Sequence, residues 1–336
     1  MTYTLEDKTK KYLLRTKIGF GITCECYTGN EIEGNSEIYA IKIFDPKFHE
    51  FYSNEISLLS KLNENKNRNN SIIKLYGYGQ GVLTPFNNEN NINDNTDNNK
   101  DKRVVYYQIL EYAVNGELKD YVNDTKTRIP ENISAKLFFQ IVQGVKYLHD
   151  NNIAHCDIKP ENVLLDKNFN AKLNDFGFSQ KFSGEKGDYL LHQFSGSEIY
   201  CAPETKLAYT KGFDGIKNDV FSLGILLFGI TVGNFPFHRA SYSDEKYKFI
   251  IKKNYKRFWE YFDYIEITEE FKDLINNLIC VTPSQRLSIE KILSHPWLTK
   301  NLGQNYISQN SEIDKIDNND LIDQVIFDEF NSRKKV

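Results

Sequence analysis

Between residues 12 and 44 the apolar positions fall in short runs separated by glycine-containing turns: YLLRTKIGFG, a second segment around 25–29, and IYAIKIF. Runs of this length bounded by turn residues predict strands of an antiparallel sheet. The period then changes. Ile56, Leu59 and Leu62 recur at helical spacing, so residues 51–62 are expected to form one helix packed on that sheet. Two more strands are expected in IIKLYGYG and VVYYQILEY. After Asn115 and Gly116 the pattern becomes helical, with helices expected over 134–149, 217–232, 242–252, 269–279 and 288–293. No repeat of fixed period is present.

Two stretches break these patterns. Residues 87–99, NNENNINDNTDNN, are too polar to bury enough surface to offset the entropy of ordering, and 87–102 is expected to be a disordered loop insertion. The apolar stretch from 220 to 233 is about fourteen residues, shorter than the roughly twenty a membrane span needs, so it is expected to be a buried core helix.

Composition narrows the function classes. Apolar residues make up 40% and charged residues 26%, ordinary values for a globular protein. A net charge of -4 gives no concentrated basic surface, so neither nucleic acid nor an anionic membrane is an expected partner. Five cysteines (Cys24, Cys26, Cys156, Cys201, Cys280) lack paired zinc spacing and are odd in number, which fits a reducing, cytoplasmic compartment. The amino-terminal residues show no apolar segment of the secretory kind.

Four groups of residues carry candidate chemistry. Gly19 and Gly21 flank Phe20 in a strand–turn–strand, where missing side chains let backbone N–H groups approach phosphate oxygens. Lys42 lies in an apolar strand, where its ammonium needs an anionic partner; Glu55 on the following helix can supply it, and the pair can hold a polyphosphate. The octet His155-Cys156-Asp157-Ile158-Lys159-Pro160-Glu161-Asn162 offers a carboxylate to accept a hydroxyl proton, a lysine to neutralise transferred charge, and an amide to hold a metal ion. Asp175-Phe176-Gly177 adds a second hard oxygen donor suited to Mg²⁺.

In this order the motifs resemble the eukaryotic protein kinase family over residues 12–298. The resemblance implies an α+β, two-lobed fold: a β-sheet lobe over 12–112, a mainly helical lobe over 113–298, an extension at 1–11 and an acidic tail at 299–336. It implies ATP and Mg²⁺ as cofactors, with Asp157 and Lys159 catalytic and Asn162 and Asp175 on the metal. Ile18, Gly19, Gly21, Cys26, Ala40, Lys42, Glu55, Glu111, Ala113, Glu117 and Leu164 would hold the nucleotide. It further assigns GSEIYCAPE (196–204) to the peptide-binding segment, DVFSLG (219–224) to the helix anchoring the large lobe, and Glu204 with Arg286 to a structural ion pair.

Lys159 and Ser197 resemble the serine/threonine class, and the text around 273–298 is similar to the calcium/calmodulin-dependent kinase group. Protein substrates bearing Ser or Thr are therefore the expected partners. Glu117 and Glu161 stand where basophilic members meet substrate arginine. A kinase-like scaffold without activity is the competing reading, disfavoured because no catalytic side chain is missing.

Three departures from the family pattern bear on mechanism. Cys24 and Cys26 stand where a third glycine and an adenine-covering valine are usual. Cys156 replaces the arginine that binds an activation-segment phosphate, and Gln193 occupies a common phosphorylation position, leaving Ser183 and Ser195 as possible sites. The tail carries seven acidic residues between 312 and 329 against Lys315, a poor calmodulin target. Leu321, Ile322, Val325, Ile326 and Phe330 are expected to form one apolar helical face able to dock on the kinase or a partner.

Overall fold

A computed structural model describes residues 2–34, 36–64, 68–86, 102–122, 128–182, 189–193, 196–303, 306–308 and 321–333. The expected insertion at 87–102 lies almost entirely outside them, as do Ser183 and Ser195. The chain divides into two compact units, residues 1–66 with 73–113, and residues 67–72 with 114–336.

The first unit is built on strands β1 (Tyr3–Glu6), β2 (Lys11–Phe20), β3 (Cys24–Glu31), β4 (Tyr39–Phe44), β5 (Leu75–Pro85) and β6 (Arg103–Glu111), with one helix, α1 (His49–Glu64). All neighbours are antiparallel in the order β1-β2-β3-β4-β6-β5, and β1 also pairs with β5. Residues 1–11, set apart by the sequence pattern, thus contribute a strand to the sheet. Alternation along β4 decides the rest of the unit. Tyr39, Ile41 and Ile43 enter a core with Leu5, Leu14, Tyr27, Leu83, Tyr107 and Ile109, while Ala40, Lys42 and Phe44 face the opposite way. Helix α1 covers that opposite face, burying Tyr52 against Phe44 (ring centroids 5.5 Å apart) together with Glu55, Ile56, Leu58, Leu59 and Leu62.

The second unit is mainly helical. Helices α2 (Glu131–Asp150) and α3 (Gly215–Val232) pack together at its centre, and α6 (Glu269–Leu278) and α8 (Pro296–Leu302) close around them. Helix α3 is longer than the fourteen-residue apolar run suggests because Asp214 caps it, accepting from the Lys217 N–H. By composition it is apolar enough to cross a membrane, yet 83% of it is buried inside the fold. Three short hairpin strands, β7 (Ile153–Ala154), β8 (Val163–Leu165) and β9 (Ala171–Leu173), frame the loop between 155 and 162, and β10 (Gln180–Lys181) pairs with β7.

The helix expected over 242–252 begins late. The Asp244 carboxylate accepts N–H bonds from His238, Arg239, Lys246 and Tyr247, so the chain turns there and α4 runs only over Tyr247–Ile251, followed by α5 (Tyr255–Trp259) and, later, α7 (Ile289–Leu293).

The tail forms helix α9 (Leu321–Arg333). Of its expected apolar face, Ile326 and Phe330 are buried; the side chains of Leu321, Ile322 and Val325 lie outside the described residues. The Phe330 ring sits 4.7 Å from Tyr121 and 5.2 Å from Phe169, and Arg333 donates to the carbonyls of Tyr121 and Arg128. The tail therefore docks on its own helical unit.

Candidate active site

In the first unit, Lys42 pairs across the sheet with Cys26 on one side and Gln108 on the other. Its Nζ meets Glu55 Oε1 at 2.8 Å, and both side chains are buried. Gln108 Nε2 donates to the other Glu55 oxygen at 3.0 Å, holding the carboxylate so that it presents one edge to the lysine. A polar residue in the middle of the apolar run VVYYQILEY is the sequence signal for Gln108.

Gly19 sits opposite Cys26, and the turn closes through Gly21 N–H donating to Cys24 O at 2.9 Å, leaving Phe20 and Ile22 exposed at its tip. Ile18 is 44% exposed beside it. Cys26 is the cross-strand partner of Lys42, and burial pushes its thiol up to about 12, so it stays neutral. Ala40 is buried opposite Leu110. Glu111 ends β6 with its N–H on Lys74 O, and Ala113 beyond it is buried.

In the second unit the loop 155–162 is held by one carboxylate. Asp219 on α3 is fully buried and accepts the backbone N–H groups of His155 (2.8 Å) and Cys156 (2.9 Å), and bonds His149 Nε2 at 2.8 Å. These bonds support Cys156 in a left-handed conformation, φ 64, rare for a residue with a Cβ. His155 has one tautomer consistent with its partners: Nδ1 accepts from the Asp157 N–H, and Nε2 donates to Asn174 O. That fixes the loop to the segment carrying Asp175, itself at φ 61, while Phe176 is buried against the His155 ring.

Asp157 is the centre of a closed polar ring. Its Oδ2 accepts from Lys159 Nζ (2.7 Å) and Asn162 Nδ2 (2.9 Å), and its Oδ1 accepts from the Ser197 N–H (2.7 Å). Lys159 Nζ also reaches Ser197 Oγ at 2.8 Å, and Asn162 Nδ2 reaches Asp157 O at 2.8 Å. Burial works to raise the Asp157 pKa, but the Lys159 and Ser197 hydrogen bonds outweigh it and hold the carboxyl below its usual range. Ser197 reaches the ring because the chain passes Cys156 closely at Gly196, φ 129, where a Cβ would collide with the Cys156 carbonyl oxygen.

Both Asn162 bonds use its amide nitrogen, so its oxygen remains for a cation. That oxygen and the Asp175 carboxylate are hard donors of the type Mg²⁺ takes alongside nucleotide phosphates. Among the described residues no cluster of three or more His, Cys, Asp or Glu could hold a metal by itself. Leu164 pairs with Lys172 in the β8–β9 hairpin and bridges to Glu117. Burial, with Asp120 nearby, holds the Glu117 carboxyl above its usual range.

Cys156 lies where an arginine would meet phosphate, and its side chain is fully inside an apolar cluster with Ala154, Phe182, Leu191, Ala208 and Phe213. Leu191 and Phe213 exchange two backbone hydrogen bonds above it. Apolar packing thus holds Leu191, Ala208 and Phe213 against Cys156. Farther along, Arg286 makes a bidentate pair with Glu204 at 2.6 and 2.8 Å, as the resemblance implied.

Residues 12–298 match the family model described as "Protein kinase domain". The chain belongs to the protein kinase family. Among curated proteins it is 29% identical to CBL-interacting protein kinase 10 of Oryza sativa subsp. japonica over 92% of this chain and 61% of that protein. It is 35% identical to CBL-interacting serine/threonine-protein kinase 20 of Arabidopsis thaliana over 64% and 46% of the two lengths. With serine/threonine-protein kinase chk1 of Schizosaccharomyces pombe it shares 32% identity over 86% and 53%. The chain spans less than two thirds of the length of each of these relatives.

Proposed function

We propose that this chain is an ATP- and Mg²⁺-dependent kinase that phosphorylates serine or threonine in proteins. The observation that carries the reading is the ring around Asp157, in which every polar partner is a group the reaction needs. Asp157 receives and orients the acceptor hydroxyl; its lowered pKa makes it a weak base, suited to a reaction in which the proton leaves late and charge gathers mainly on the transferred phosphoryl group. Lys159 faces that developing charge. Lys42, fixed by Glu55 and Gln108, is suited to ATP phosphates, and the Asn162 oxygen with Asp175 to Mg²⁺, which would neutralise phosphate charge. A scaffold without activity would not need this satisfied arrangement of buried charge. The five free thiols are consistent with work in the cytoplasm.

Purified protein with labelled ATP, Mg²⁺ and a degenerate Ser/Thr/Tyr peptide library is expected to label Ser and Thr peptides, with Arg or Lys favoured upstream through Glu117. Transfer to tyrosine alone, to metabolites alone, or to none of these contradicts the proposal; a preference for acidic or proline-directed sites removes only its basic-residue part.

The apolar cluster around Cys156 leads to a second expectation. Phosphatase-treated protein should retain most of its specific activity. If it loses nearly all of it, and phosphate at Ser183 or Ser195 restores it, the cluster does not do the work of the arginine latch.

A further inference from the structure

Gln108 lies in β6 between Tyr107 and Ile109 and has no exposed surface. It pairs across the sheet with Lys42 on β4 and with Tyr78 on β5. Its amide has one orientation open to it. As observed, Nε2 donates to Glu55 Oε2 at 3.0 Å; turned over, two acceptors would face each other. That orientation leaves Oε1 buried with no donor among the described residues, a destabilising arrangement that a methionine of the same length would not have. Packing alone therefore does not call for glutamine here.

What the amide does is complete Glu55. Lys42 Nζ engages Oε1 at 2.8 Å and Gln108 engages Oε2, so both oxygens of a carboxylate that is 1% exposed are held, one from β4 and one from β6. With Oε1 alone engaged the carboxylate could rotate and carry the ammonium with it; with both engaged it keeps one orientation. Because Glu55 is on α1, the same two bonds tie that helix to two neighbouring strands. Tyr52, three residues earlier on α1, adds a bond from its hydroxyl to Gly79 O on β5 at 3.3 Å.

We infer that Gln108 is a positioning residue for phosphoryl transfer: it orients Glu55, and through it the ammonium of Lys42, although its own Oε1 goes unmatched. The inference rests on the protein kinase reading above. Having no exposed surface, Gln108 acts only through Glu55.

Two substitutions in the full chain separate this role from a structural one. Gln108→Met keeps the length and removes both the donor and the unmatched acceptor. These losses oppose each other in stability, so the melting temperature should stay within about 4 °C of the parent's. By contrast, kcat/KM for ATP should fall by about 10–100-fold, as when a group that holds substrate is misplaced.

Gln108→Glu makes the contact depend on pH. Two carboxylates beside one lysine in a buried site resist ionising together, so one keeps its proton well above the ordinary range. Protonated, the new side chain donates to Glu55 Oε2 as the amide does; ionised, it repels Glu55 and competes for Lys42. The other titratable groups beside the pair are Cys24 and Cys26 on β3 and Tyr78 on β5, and the Cys26 thiol stays neutral up to about 12. Affinity for a fluorescent ATP analogue with Mg²⁺, read by anisotropy without transfer, should be near the parent's at about pH 6 and about tenfold weaker than the parent's at about pH 9.

Parent-like use of ATP by Gln108→Met, or a Gln108→Glu affinity whose ratio to the parent's does not change with pH, overturns the inference. So does a collapse of stability in Gln108→Met without the pH trend in Gln108→Glu, which would make the amide structural. The pH trend in binding, with no transfer to any peptide by the parent, supports the positioning role and refutes the kinase reading; transfer with a flat ratio does the reverse.

Discussion

Replacing Asp157 with asparagine lowers kcat by about 10²–10⁴, the range that a positioned acid–base group contributes. The amide fails twice. It cannot take the hydroxyl proton, and whichever way it turns its NH₂ faces a donor, either the Ser197 N–H or the pair Lys159 Nζ and Asn162 Nδ2. Nucleotide affinity, measured with a fluorescent ATP analogue, should change little, because none of these contacts is to Lys42 or Glu55. Residual kcat above about one tenth of the parent would contradict the assigned role. The direction of the Asp157 pKa also fixes a pH dependence. A carboxyl held below its usual value stays ionised as pH falls through the ordinary aspartate range, and loses function only on passing its own lowered pKa. The acid limb of kcat/KM attributable to Asp157 should therefore lie below the ordinary carboxylate pKa; a limb above it would place the essential base elsewhere.

Arg286→Ala is expected to remove about 3–5 kcal/mol of stability, the usual consequence of leaving one partner of a buried ion pair alone. The guanidinium is buried and does more than pair with Glu204: Nε donates to Cys280 O (2.9 Å), Nη1 to Lys217 O (2.9 Å) and Nη2 to Val281 O (3.2 Å), while its plane lies 4.9 Å from the Phe221 ring centroid. Truncation leaves a carboxylate and three carbonyls without their donor. Total stabilities of about 5–15 kcal/mol mean that this single change can consume much of the margin. Urea midpoints read by tryptophan fluorescence should fall sharply, and Glu204→Gln, which keeps an acceptor for the guanidinium, should fall less. A shift below about 1 kcal/mol for Arg286→Ala would mean that the pair is not structural.

What the sequence revealed, and what it hid, follows from the reach of the interactions. The Lys42–Glu55 pair was legible because a lysine in the run IYAIKIF has no tolerable unpaired state, and the next helix offers a carboxylate. The sheet strands with strong apolar alternation were legible for the same local reason. Strand β1 was not: four residues are a weak signal, and its turn into β2 has no glycine, being closed by the Asp7 side chain on the N–H groups of Thr9 and Lys10. Asp219 was visible only as part of a motif. Its partners His155 and Cys156 lie more than sixty residues earlier, and no periodicity reports that its oxygens reach their backbone.

The docked tail has a consequence for how the chain is made. Synthesis delivers Tyr121 and Phe169 well before Phe330, the ring that packs against both, by roughly ten seconds or more at ordinary elongation rates. Until then Tyr121 and Phe169, whose rings lie 6.0 Å apart, lack the contacts that α9 supplies. Helix α9 is thus the late-made cover of this aromatic pair.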